Sequence, residues 1–430
     1  MFESGPPGGI QACSWGNAGT FAPYACLPVT GPSLWRSLPS MLFRADGPLR
    51  LARGAAGAAG LIGAIPWLAR TLQACAPAHH EHTVKYLAAM LARSEEAWDR
   101  CLDYAGVDPD AAGDSPGAPP LRSKKGYLLL QDVPGCDVHS AASLATRDRR
   151  CDALFQAGGK LRCEVLDASG VLELEPGLSP EAARGGAHFF PDAWQLSDPA
   201  AMLEALLRAA AERGVEVISG EEAGHVNSFS FPRGAEGDVV LGTRDGTAHE
   251  VYVAVVCAGA HSHALAVDGG EQGVSLSTER GYSITFQGGA LGAPHALNRA
   301  VGSAANGLIM TPMAQGLRVA GLVELGGTRA GPSPARWAQL ERVARRSFQL
   351  DGERALRSRR ADADWMGFRP TCPDYLPVVG RSRSHPGLFY NFGHHHVGFT
   401  AAAVSAEEIC HLADHAAHAL DLAPYWPTRF

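Results

Sequence analysis

The ten cysteines of this 430-residue chain include no C-x-x-C pair. Their scatter offers neither the clustered thiolates of a zinc site nor a disulfide framework, and it fits a reducing compartment. An excess of positive charge is also missing. The 37 Lys and Arg stand against 44 Asp and Glu, a formal net charge of −7. That balance gives no basis for a nucleic-acid partner and reads as a solubility feature. No internal repeat is visible, and the length allows two or three domains. The opening MFESGPPGG has neither the basic nor the apolar region of a secretory signal. The most apolar long stretch, GAAGAAGLIGAIPWLA from Gly54 to Ala69, is shorter than the ~20 residues of a membrane span. It reads as a loop followed by a packed helix. With Arg44, Arg50, Arg53 and Arg70 flanking it, the stretch also suits a shallow contact with a membrane surface.

What is present alternates between helix and strand. HTVKYLAAMLARSEEAWDRCLDYAG carries Tyr86, Met90, Ala97 and Cys101 near one helical face and Gly106 as a stop. A polar Pro/Gly/Asp loop, Ala105 to Gly126, leads to the buried strand GYLLLQD. LSDPAAMLEALLRAAAERG is a capped helix with Ser197 or Asp198 at its start, Pro199 in the first turn and Leu203, Leu206, Leu207 and Ala210 as its stripe. It delivers the strand VEVI. Two strands then turn at Asp245-Gly246. VYVAVVCAGA follows as an apolar run expected to be buried on both faces, with Cys257 inside the core and a small-residue exit at Ala258-Gly259. GLIMTPMAQGLRVAGLVELGG reads as a hairpin and SPARWAQLERVARRSFQL as an amphipathic helix. His79 to His82 falls at an exposed helix start.

The final seventy residues carry the chemistry. In GFRP, one Arg is held between a glycine and a proline, and a fixed guanidinium can grip a carboxylate through two parallel hydrogen bonds. NFGHHHVGFTAAAVSAEEI is a glycine turn entering an Ala-rich helix, whose first N–H groups, at Gly398 to Thr400, suit an anionic or polar ligand edge. Three consecutive histidines cannot all face one ion, so His394 to His396 make a poor metal site, and no metal is expected.

GNAG after a Gly/Pro turn, VVCAGAHS, ERGYSITF, LRVAGLVELGG, GFRPTCPDYLPVVG and NFGHHHVGFT occur in one order along the whole chain. In that order the chain resembles the D-amino-acid dehydrogenase/oxidase (DAO-type) family of FAD flavoproteins. The resemblance implies an α/β (α+β) fold with a Rossmann-like FAD-binding domain (1–30, 136–183, 195–264 and 362–430). It also implies an antiparallel-sheet substrate domain (31–135, 184–194 and 265–361). It implies that Arg369 holds the substrate carboxylate and that Tyr282 lines the pocket. His394 would stand at the flavin or substrate. Asn17, Ala18, Gly19, Gly367, Gly393, Val397, Gly398, Phe399 and Thr400 would surround the flavin, with Ala258 and Gly259 on its adenosine side. Glu3 would match the acid that binds the adenosine ribose at the end of a second strand. On that alignment the preceding strand, glycine fingerprint and helix are expected to be missing, and FAD is expected to bind poorly or not at all. The implied reaction is hydride transfer from an amino acid to flavin, with oxygen or a quinone as acceptor, in the cytoplasm or on the inner face of the membrane. Two alternatives stand beside it: a non-catalytic remnant, and a glycine-, sarcosine- or hydroxyproline-type enzyme.

Overall fold

STERGYSITF is rich in β-branched and aromatic residues and GLRVAGLVEL in Leu and Val, and they form the two longest strands, Ser277–Phe286 and Gly316–Leu325. They lie side by side in a nine-stranded sheet of the computed structural model, which describes all residues except 45, 112–118, 134–136, 233, 235–237, 291, 294–295 and 358. The sheet order is Trp365–Thr371, Ser277–Phe286, Gly316–Leu325, Leu308–Met313, Ala300–Ser303, Tyr127–Leu130, Ala187–Phe190 and Glu164–Leu166. Leu49–Leu51 joins the far end of Gly316–Leu325. All pairings are antiparallel except Ala300–Ser303 with Tyr127–Leu130 and Gly316–Leu325 with Leu49–Leu51. This is the antiparallel sheet that the resemblance implied. It also takes in Glu164–Leu166 and Trp365–Thr371, which the sequence boundaries gave to the other domain. Backbone pairing with Ala187–Phe190 and Ser277–Phe286 draws them in.

The remaining strands form smaller sheets. Phe2–Glu3 pairs in parallel with Ile218–Ser219, and Ala254–Val256 pairs in parallel with Leu388–Phe392, which continues to Val378–Arg381. Among the described residues these two sheets are not hydrogen-bonded to each other. Of VEVI only Ile218 is strand, at the start of Ile218–Ser219.

Several expectations need correction. VYVAVVCAGA is not buried on both faces: Ala254–Val256 has one backbone partner, Val255 is 42% exposed, Tyr252 is 86% exposed, and Cys257 is exposed. The Gly54–Ala69 region is two helices, Gly54–Gly63 and Ile65–Ala74, bent by 52°. Alanine's helix propensity outweighs the glycines, and Gly60 lets the first helix lie directly on the Gly326 carbonyl. The helix Pro199–Glu212 is capped by Asp198, whose carboxylate accepts from the Ala200 and Ala201 N–H groups. It buries Met202 and Ala209, while Leu203, Leu206, Leu207 and Ala210 are half-buried. The inward stripe is rotated by one position, about 100°. The long helical stretch before Gly106 is two helices, Pro77–Leu91 and Ser94–Ala105. Its His80 is buried, with Nδ1 2.8 Å from the Thr30 carbonyl. Residues 112–118 of the Pro/Gly/Asp loop lie outside the described residues.

The face of the large sheet under the helix Pro334–Ser347 holds a buried polar knot. Arg280 Nη1 stands 2.8 Å from Glu324 Oε2, and the Tyr282 hydroxyl donates to the same oxygen at 2.6 Å. Removing one member of a buried ion pair strands the other charge in a low-dielectric interior. Glu324→Ala is therefore expected to destabilise the fold by about 3–5 kcal/mol, read as a lower urea midpoint. Asp192→Ala, which breaks the exposed pair with Arg162, should barely move it. Equal shifts for the two variants would contradict this assignment.

Candidate active site

Alternation along an edge strand fixes the centre of the site. In Trp365–Thr371, residues Trp365, Gly367 and Arg369 share one face and stand opposite Ser283, Gly281 and Glu279 of the neighbouring strand. Arg369 donates from Nη1 to the Leu322 carbonyl at 2.8 Å and from Nη2 to the Gly321 carbonyl at 3.4 Å. Those carbonyls project where the register of Gly316–Leu325 slips against Ser277–Phe286 and Leu322 takes a φ of 61°. The guanidinium lies on Gly281, where a Cβ would come within 2.5 Å of Nη2. Among the described residues its hydrogen bonds run to these carbonyls and none to a carboxylate. The nearby Glu279 is buried and accepts from the Tyr375 hydroxyl at 2.6 Å. Burial raises its pKa, against the opposing pull of the Tyr375 hydrogen bond and of Arg369.

The histidine turn forms the next wall. Gly393 opens it at a φ of 84°, close to the Cys372 sulfur, and Thr371 bridges to His394. His394 Nε2 lies 3.2 Å from the Ser405 hydroxyl, and burial pushes its pKa down to about 4. His395 is buried between the rings of Tyr375 and His396, at 4.9 and 4.5 Å, with its Nε2 unpartnered. Burial holds it well below the usual range. His396 is open to solvent, yet desolvation, followed by the Arg369 charge, lowers its pKa to about 4. His396 thus reaches solvent while standing near enough to Arg369 to feel its charge. All three rings are neutral at pH 7.

Residues 10–18 cross the sheet face that carries Arg369. The Cys13 thiol donates to the Phe368 carbonyl at 2.8 Å, and the Trp365 indole donates to the Ile10 carbonyl at 2.7 Å. Arg318 Nη1 donates to Trp15 at 2.9 Å, and the Thr311 hydroxyl donates to the Ala18 carbonyl at 2.8 Å. Asn17 Oδ1 accepts from the Gly19 N–H at 2.6 Å, which shapes the turn of GNAG, and Gly19 has a φ of 68°. The Ala258–Gly259 exit reaches the same strand through His261, whose ring meets the edge of Phe368 at 6.3 Å. The Thr400 hydroxyl accepts from the Ala22 N–H at 2.9 Å and ties the helix Gly398–Ala413 to the loop. No side chain caps that helix after Val397, so its first-turn N–H groups have no side-chain acceptor. Phe399 is fixed through its carbonyl, which accepts from the Trp98 indole at 3.0 Å.

Three sequence candidates are not brought into this arrangement. Tyr282 faces the opposite side of the sheet, held by Glu324, the Ser333 N–H and the edge of Trp337. Burial pushes its pKa up to about 12. Gly367 is covered by the Trp365 indole and offers no open surface. Glu3 pairs with Ser219, and its carbonyl accepts from Gly220. Sequence reasoning missed Glu279, Tyr375, Cys13 and Arg318. A period-two reading of ERGYS opposite GFRP would have found Glu279.

The family described as FAD dependent oxidoreductase (DAO) matches residues 1–412. A D-amino-acid oxidase of Bradyrhizobium diazoefficiens is 28% identical, over 100% of this chain and 92% of that protein. D-amino acid dehydrogenase 2 of Ralstonia nicotianae is 30% identical, over 97% of this chain and 92% of that protein. Among solved structures, glycine oxidase from Geobacillus kaustophilus superposes with a TM-score of 0.66 at 20% identity, over 100% of this chain and 91% of the other. L-proline dehydrogenase from P. horikoshii gives 0.63 at 18%, over 80% and 83%.

Burial lowers the pKa of His188, His394 and His396 to about 4. Between about 6.5 and about 4 the unfolded chain therefore binds more protons than the folded one, so stability falls as pH falls through that window and is flat above it. The melting temperature is expected to drop between pH 7 and pH 5, and His188→Asn with His394→Asn to flatten the drop. A melting temperature that rises on acidification would contradict these assignments.

Proposed function

Because this chain belongs to the DAO family of FAD-dependent oxidoreductases, we propose that it oxidises the Cα–N bond of an amino acid, D-amino acids preferred, in the cleft between Arg369 and the histidine turn. The observation that carries this reading is Arg369: a cation steered by two carbonyls and, among the described residues, hydrogen-bonded to no carboxylate.

The residues around the cleft suit FAD. Gly259 has a φ of 56° and open space where a Cβ would stand, and Ala258 is exposed, so a ligand can approach the backbone there. The uncapped helix start at Gly398–Thr400 suits the polar edge of a ring, and Asn17–Gly19 holds the loop facing it. When bound, FAD supplies the acceptor for the hydride from Cα. Arg369 binds the substrate carboxylate through its guanidinium and fixes where Cα stands. Tyr375, held by Glu279, packs on His395 and His396 and keeps the rings in place. Neutral imidazoles at the wall leave Arg369 as the charge that selects an anionic group. The imino acid then hydrolyses to a 2-oxo acid and ammonia.

The electron acceptor is oxygen or a quinone. The exposed Ile62, Ile65 and Leu72, at 68, 58 and 41%, lie on the bent helix pair, with Arg53 and Arg70 exposed as well. They support a peripheral contact with the inner face of the membrane and, with it, the quinone.

Anaerobic addition of D-amino acids to the FAD-loaded protein is expected to bleach the flavin absorbance. Glycine, sarcosine and hydroxyproline are included to rank the substrates. Arg369→Met should weaken the amino acid by at least about 30-fold in kcat/KM, and Arg369→Lys should recover part of it. A flavin that no amino acid reduces would overturn the reading.

A further inference from the structure

The helix that begins at the cleft ends in a histidine-rich stretch, EEICHLADHAAHALD, that the proposed reaction does not use. Glu408 and His411 sit three positions apart on the helix Gly398–Ala413, so they share a face. The chain then folds back and brings His418 alongside. Glu408 is buried, with 1% of its surface exposed. Its Oε1 accepts from the Ala419 and Leu420 N–H groups, each at 3.1 Å, and its Oε2 lies 3.2 Å from His418 Nδ1. One ligand atom from each of Glu408, His411 and His418 falls within 4.8 Å of the others. His411 adds an independent observation: its Nδ1 is buried and has no hydrogen-bond partner. A buried nitrogen left without a partner costs free energy that a ligand would recover.

We propose that Glu408, His411 and His418 form a binding site for a zinc-like divalent ion, which joins the end of the Gly398–Ala413 helix to the C-terminal tail. Two imidazoles and one carboxylate are a donor set that zinc accepts, with water in the fourth position. Tetrahedral coordination at about 2.0–2.2 Å places ligand atoms about 3.3–3.5 Å apart, close to the separation already present between Glu408 and His418. Glu408 Oε1 keeps its two backbone donors, which orient the carboxylate, while Oε2 and one nitrogen from each ring take the ion. On binding, His418 takes the Nε2–H tautomer, which leaves the Nδ1 lone pair for the ion beside Oε2.

The role is structural. Glu408 and His411 lie about 15–20 Å along the helix from its first turn at the cleft, at 1.5 Å per residue. What the ion joins is the tail that carries the buried Leu420, Leu422 and Tyr425, the last donating to the Tyr86 carbonyl at 2.6 Å. This inference is independent of the proposed reaction.

The test uses the full chain, purified without a histidine tag and stripped with chelator. Zinc chloride titrated calorimetrically is expected to bind at one site per chain with Kd below about 10 μM and to raise the melting temperature by several degrees. Cobalt should give a tetrahedral d–d band. His411→Ala and His418→Ala are each expected to weaken zinc at least tenfold and to abolish the thermal shift. His79→Ala/His82→Ala, on an exposed helix start elsewhere, should change nothing. His411 is half-buried and His418 exposed, so these variants keep the test clear of misfolding, which circular dichroism checks. No saturable zinc uptake, or uptake unchanged in both ligand variants, overturns the proposal.

Discussion

The seating of Arg369 is the constraint on which the rest of the site depends. A strand edge sets its face, and a register slip in the Gly316–Leu325 strand turns the Gly321 and Leu322 carbonyls toward its guanidinium. Gly281 leaves room beneath it. Neutral carbonyls can hold a guanidinium without cancelling its charge. The one carboxyl across the strand, Glu279, is buried against Tyr375, and burial favours its protonated form. The result is a cation fixed by backbone carbonyls, which the proposed reading assigns to an incoming anion.

The cleft around it has a simple electrostatic character. His394, His395 and His396 are all driven toward the neutral form by desolvation, and the Arg369 charge adds to this at His395 and His396. A protonated imidazole there would spread positive charge along the wall and blur where a carboxylate docks. On the proposed reading, with the rings neutral, orientation of the substrate comes from the Arg369 guanidinium. On the same reading, the helix start at Gly398 and the turn at Asn17 supply protein dipoles to the rest of the site. The chain supplies position and polarity, and the chemistry of oxidation belongs to the family's flavin.

Much of this was legible in the residues. The antiparallel sheet, the GFRP arginine, the glycine entry to the histidine turn and the capped helix at Asp198 all follow from short-range patterns, which local physics decides. The errors lie where long-range packing decides. Tyr282 sits in the same motif as Glu279, yet strand alternation sends it to the far face and into the Arg280–Glu324 knot. Gly367 is adjacent to the arginine, but an indole two residues away covers it. The apolar run around Val255 reads as doubly buried because composition does not reveal how many neighbours a strand has. Glu279 and Tyr375 escaped notice because their importance arises only from pairing across the sheet.

The central claim is that Arg369 engages the substrate's carboxylate and nothing else of it. A cycle between enzyme and substrate tests this directly: kcat/KM for a D-amino acid and for its primary amide, each with the parent enzyme and with an Arg369→Met variant. The account predicts that the amide loses activity in the parent enzyme by a factor similar to that caused by the substitution, and that the variant scarcely distinguishes acid from amide. Losses that simply multiply in the doubly altered pair would contradict it.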